Sequence, residues 1–174
     1  MIRELNGKKD LYAANIEYTK VDKNNIPNSI LGSHRTRMLN ASTSNGINQV
    51  RNDLVVIIAL YREVSGLINN LGKTSNRTEF SNTLSSSNTT NALTALKTSI
   101  NSFSAKYSTA RNKINEYNDH RSHDAQVTIN LESELDRATN ETMLDTLIRR
   151  IDEEIENLNA GIQRERLINS MRNW

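Results

Sequence analysis

The chain has 174 residues and a mass of 19.7 kDa, enough for one domain with a real core and too little for two comfortable ones. With 36% hydrophobic and 24% charged residues it stays clear of compositions that remain unfolded, and a net charge of +2 is too small for a dedicated nucleic-acid binder. The absence of cysteine removes disulfides, thiolate nucleophiles and zinc-thiolate sites together.

Residues 1–42 show neither helical nor strand periodicity, and they hold the only proline, Pro27. They read as an extended N-terminal arm with a short helical turn near Leu11 to Tyr18. The start, Met1 to Asp10, lacks the apolar centre of a cleaved signal peptide. Most of the positive excess sits in the arm, densest at His34-Arg35-Thr36-Arg37, so Arg35 and Arg37 are its candidate contact residues, toward an acidic neighbour or, less favoured, nucleic acid.

From residue 43 onward the chain reads as a helical bundle. Ile47, Val50, Leu54, Ile57, Tyr61, Val64, Ile68 and Leu71 follow one another at steps of three and four. A mean step of 3.5 residues keeps one stripe of an α-helix aimed at a partner, whereas a strand needs a period of two. The first long helix is expected over about 44–71, starting near Ser42 to Asn45 and stopping at Gly72. Its middle, Leu54 to Leu60, is apolar on every face and calls for more than one covering neighbour. The longest apolar run, Leu54 to Tyr61, falls far short of the roughly 20 residues of a membrane span, so a soluble protein of the virion or cytoplasm is expected, with no membrane partner. Gly72-Lys73-Thr74 echoes the end of a phosphate-binding loop, but Leu67 stands where that loop needs glycine, so a helix stop is the better reading.

A Ser/Thr/Asn-rich connector follows over 73–88. The second stripe, Leu93, Leu96, Ile100, Phe103, Tyr107, Ala110, Ile114 and Tyr117, predicts a helix over about 89–118. Residues 118–124 read as a hairpin, with a continuous helix carrying polar layers at Arg121, Asp124 and Thr128 as the alternative. Helix is expected again over about 124–172, where Thr139-Asn140 marks a kink or a second turn, a break near 139–142. The third stripe is Leu144, Ile148, Ile151, Ile155, Leu158 and Ile162, reaching toward Leu167 and Ile168.

His120 and His123, with Glu116, Asp119 and Asp124 nearby, form the only metal-like cluster, and a solvated turn is the better account of it. Arg149, Arg150, Asp152, Glu153, Glu154, Glu156, Arg164, Glu165 and Arg166 make a mixed-charge helix face suited to i to i+4 pairs. No catalytic, cofactor or metal residues are expected, and no enzyme. The sequence therefore predicts an all-α, elongated antiparallel bundle of three or four long helices with an extended arm. The expected function is a structural subunit of a larger assembly, a virion or bacteriophage component such as a head-to-tail adaptor or capsid-associated protein, with other subunits as homo- or hetero-oligomeric partners. A monomeric helical-bundle binding module or a secreted helical effector is the alternative.

Overall fold

The computed structural model describes residues 2–71, 76–120 and 122–172, and their side chains apart from those of 2–8 and 10. The Gly72-Lys73-Thr74 stop and the polar layer at Arg121 lie outside the described residues. The fold is all-α. Seven helices occur among the described residues, α1 (Ile2–Thr19), α2 (Asn28–Asn40), α3 (Ser44–Asn70), α4 (Asn76–Ser86), α5 (Thr90–Asn118), α6 (Ala125–Arg137) and α7 (Glu141–Arg172), where three or four were expected. They form two compact units, Met1–Asn70 with Ser81–Thr98 and Leu71–Phe80 with Ser99–Trp174.

The extended arm is the main correction. Its segment folds as α1 and α2, which pack on each other and on α3. Pro27 stands just ahead of α2, where its missing N–H costs no helical bond, and the Pro27 carbonyl accepts from the Ile30 and Leu31 amides as the helix starts. Asn25 takes the left-handed conformation (φ 62°) that the tight α1–α2 turn requires and that asparagine tolerates. Lys23 folds back past the end of α1 and donates to the Tyr18 and Val21 carbonyls, the first of which also accepts from the Val21 amide. Ile30, His34 and Met38, one turn apart on α2, are all buried. The His34 Nδ1–H donates to the Ile30 carbonyl at 2.9 Å, so this histidine belongs to the core and its polar edge is met inside the helix.

These two helices also account for the all-apolar middle of α3. Leu54, Ile57 and Ile58 are buried, while Val55 and Val56 remain about half exposed. Thr43 caps α3, its hydroxyl accepting from the Gly46 amide at 3.0 Å. A Cβ at Gly46 would sit 3.2 Å from that hydroxyl, so glycine suits the close approach.

The expected connector contains α4. Its sequence is poor in apolar residues, and the helix ends in serines whose hydroxyls turn back on the chain: Ser85 donates to the Asn82 carbonyl, and Ser86 and Ser87 donate to that of Thr83. Phe80 on its other side meets the Phe103 ring edge-on at 5.8 Å.

In the second unit α5 ends at Asn118 and α6 begins at Ala125, so the two are separate helices, as the hairpin expectation requires. The turn is built from side chains. The Asp124 carboxylate accepts from the Gln126 amide at 2.7 Å, the Tyr117 hydroxyl accepts from the Asp124 amide at 3.1 Å, and Thr128 donates to Asn118. A second break at 138–140 separates α6 from α7, where Asn140 caps by accepting from the Met143 amide at 2.9 Å. The core of this unit joins Phe103, Ala110, Ile114 and Tyr117 of α5 to Leu131 and Leu135 of α6 and Leu144, Leu147 and Ile151 of α7.

Candidate protein-interaction face

The three stripes read from the sequence all point inward. Ile47, Val50, Leu54, Ile57, Val64 and Ile68 are buried on α3, with Tyr61 and Leu71 half-buried. On α5, Leu93, Leu96, Ile100, Phe103, Ala110, Ile114 and Tyr117 are buried and Tyr107 half-buried. On α7 burial declines along the helix: Leu144 and Ile151 are buried, Ile148, Ile155, Leu158 and Ile162 half-buried, and every described residue from 163 onward is exposed.

The arm residues make contacts within the chain. Arg35 lies over the Tyr18 ring at 5.9 Å, and Arg37 pairs with Asp53 of α3 at 2.6 Å. Two more arginines of α3 hold the N-terminal helices: Arg51 to Glu17 at 2.9 Å and Arg62 to Asp22 at 2.8 Å. The Lys20 ammonium, with Arg51 behind it, holds the Glu17 carboxyl below its usual range. The Asn24 amide and then Arg62 do the same for Asp22.

The histidine pair is likewise engaged locally. The His120 Nε2 lies 3.3 Å from the Asn159 side-chain oxygen, His123 Nδ1 lies 2.8 Å from the His120 carbonyl, and the His123 ring stands edge-on to Tyr117. Among the described residues no group of three or more metal-ligating side chains converges, and no helix is long and apolar enough to cross a membrane.

The mixed-charge face of α7 divides by position. Arg149 pairs with Glu153 one turn on, at 2.6 Å, as the spacing suggests. Others reach across: Arg150 to Glu134 of α6, Asp152 to Lys113 of α5 at 2.8 Å, and Asp145 and Glu141 to Lys106 of α5 at 2.6 and 3.2 Å. Asp145 foremost, then Glu141, raises the Lys106 pKa, and Asp152, then Glu116, raises that of Lys113. These ties run from the first half of α7 and fix its register on α5 and α6.

The second half of α7 is different. Leu167, Ile168 and Met171 are 62%, 45% and 63% exposed. The expected stripe does not reach Leu167 and Ile168, because the helix turns about 100° per residue. Ile151, Ile155 and Leu158 stay within about 40° of Ile162 on that wheel, whereas Leu167, Ile168 and Met171 fall about 140° to 240° from it, on the opposite side. Sequence reasoning passed over Met171, although the step of five from Ile162 to Leu167 already signals a change of face. The same outer face carries, nearer its start, Met143 at 43% exposure. Beside Met143 lies a cleft of about 620 Å³ between α6 and α7, walled by Thr142, Met143, Thr146 and Leu147 of α7 and by Glu134 and Arg137 of α6.

Comparison with protein-family models, with curated proteins and with solved structures gave no match. The functional reading therefore rests on the chemistry of this chain's own surfaces.

Proposed function

We propose that this protein is a non-enzymatic structural subunit that binds other protein subunits through helix faces, the outer face of α7 foremost. The observation that carries the reading is the exposure of Leu167, Ile168 and Met171 together, on the side of α7 that its own unit leaves open. Water contact with three large apolar side chains on adjoining turns is unfavourable by about 25 cal/mol per Å², and a contiguous patch of this kind marks an interaction surface. Within each unit, the reading takes the steps of three and four as seams in which side chains of one helix fill gaps in the next. The narrower expectation of a virion or bacteriophage component leaned on an extended arm; that arm is folded onto α3, and the proposal is for an assembly subunit as such. The raised Lys106 and Lys113 pKa values arise first from Asp145 and Asp152 of α7, pairs that tie α5 to α7, as fits a structural role.

Sedimentation in extract from cells that make the protein tests this. The wild-type chain is expected in a particle heavier than 19.7 kDa, and the triple variant Leu167→Asp, Ile168→Asp, Met171→Asp is expected to return to the monomer position. Wild-type protein running as a free monomer would favour the binding-module alternative and overturn the proposal.

A further inference from the structure

The outer face of α7 carries complementary features at its two ends, and from this we infer that the occupant is a second copy of the same chain, paired antiparallel along α7. This rests on the assembly role proposed above and specifies its partner. At the C-terminal end stand the exposed Leu167, Ile168 and Met171; at the N-terminal end lies the α6–α7 cleft, with Thr142, Met143 and Thr146 on its α7 wall. Thr146, Glu153, Arg164 and Met171 all project within about 20° of one another on the helical wheel, so one straight ridge links apolar tip to cleft.

Charge selects the direction. The middle of α7 is acidic, with Asp152, Glu153, Glu154 and Glu156, and its end is basic, with Arg164, Arg166 and Arg172 against Glu165 alone. A parallel pair aligns like with like. An antiparallel pair that brings Glu153 opposite Arg164 of the second copy opposes unlike charges there and at Asp145 against Arg172, each twice by symmetry, sets Glu165 against Asp152 as the like-charged exception, and lays Leu167 and Ile168 along the stems of Arg150 and Arg149. The same register places Met171 of each copy opposite Thr146 of the other, over the gap bounded by Thr142, Met143 and Thr146. At its centre Asn157 meets Ala160, and the small side chain there allows close approach of the two helices.

Contact length agrees with this pairing. Thr146 and Met171 are about 37 Å apart along the helix at 1.5 Å per residue. Two ridges in contact over that span approach the scale of a standard interface, about 800 Å² from each partner, whereas tips touching only through three side chains fall well below it.

The chain has no cysteine, which makes cross-linking clean. Thr146→Cys and Met171→Cys variants, both at exposed positions, are expected to form a disulfide dimer under mild oxidation when mixed with each other, and neither when alone. Met171→Cys cross-linking to itself would show parallel or tip-to-tip pairing and overturn the inference. So would a purified wild-type chain that sediments as a monomer at every concentration; with a heavy particle still present in extract, that result leaves the assembly role standing and removes only the second copy. As an independent check, Glu153→Arg or Arg164→Glu alone is expected to weaken dimerisation about tenfold, from two lost pairs per dimer, and the two together to restore it to within about threefold. Failure of the double variant to recover any affinity contradicts the register.

Discussion

The two ends of the chain are treated in opposite ways. Both are helical, polar-looking in sequence and rich in arginine, yet α1 and α2 are drawn inward while the last three turns of α7 are left open. Arg37, Arg51 and Arg62 make the difference visible at the N-terminal end, where ion pairs link the α1–α2 segment to α3 around the buried Ile30, His34 and Met38. At the other end Leu167, Ile168 and Met171 stay in contact with water. The contrast shows basic charge of α2 and α3 used for internal ties, and apolar exposure on α7 as the guide to where a partner binds.

The largest test of that contrast is deletion. Removing residues 1–42 is expected to bare the Ile57 and Ile58 faces of α3 and abolish the cooperative melting of its unit, read by calorimetry, whereas removing residues 163–174 leaves both melting transitions in place and lowers the assembled mass. Equal effects of the two deletions on melting would erase the distinction. Next come point substitutions within α7 itself. Ile151→Ala is expected to cost about 2–5 kcal/mol through lost burial and an unfilled cavity, while Ile168→Ala changes the stability of the single chain by no more than about 0.5 kcal/mol. Denaturant titration at concentrations below assembly reads both. Asp124→Ala removes the cap of α6 and is expected to cost about 0.5–2 kcal/mol, with the loss confined to the α5–α6 turn.

The pairs also give the ends different responses to pH. Folding lowers the pKa of Glu17 and Asp22, so their contribution is complete above the ordinary carboxylate range and is lost as pH falls through it. Folding raises the pKa of Lys106 and Lys113, so theirs is complete below the ordinary lysine range and is lost as pH rises beyond it. Acid is therefore expected to weaken the α1 end and the α1–α2 turn, where Lys20 and the Asn24 amide hold these carboxylates ahead of Arg51 and Arg62 of α3, and alkali to loosen α7 from α5, measured as pH-dependent melting of each unit. The smallest effect expected is that of Arg149→Ala, whose exposed pair with Glu153 is worth a few tenths of a kcal/mol.

How far the sequence disclosed this arrangement depends on how each helix is buried. The helices at 44–70 and 90–118 are legible because one face of each meets a core and the apolar steps never slip; the α5–α6 turn shows only as a polar stretch, since the apolar phase resumes in register at Leu131, and the break near residue 139 shows as a slip of phase. Helices α1, α2 and α4 were not. On α2 the inward row is Ile30, His34, Met38, and a histidine satisfied by its own helix looks polar in a list of residues. On α1 the exposed Leu11 and Tyr12 and the buried Ala14 invert the usual signal. Among the apolar residues of α4 only Phe80 and Leu84 turn inward, and the helix is closed by serine hydroxyls, which in sequence resemble a linker. The exposed face of α7 is hidden for a different reason: Leu167 and Ile168 look like a continuation of the stripe, whereas the step of five residues from Ile162 carries them to the far side.

Hydrogen exchange along α7 reads out whether a partner covers its end. An uncovered helix end frays and exchanges quickly, whereas one packed against a partner is protected. The account predicts that amides 163–172 of the assembled wild-type chain exchange as slowly as those of 144–155, and at least tenfold faster in the Leu167→Asp, Ile168→Asp, Met171→Asp variant. Rapid exchange over 163–172 in the wild-type protein at assembling concentrations would contradict it.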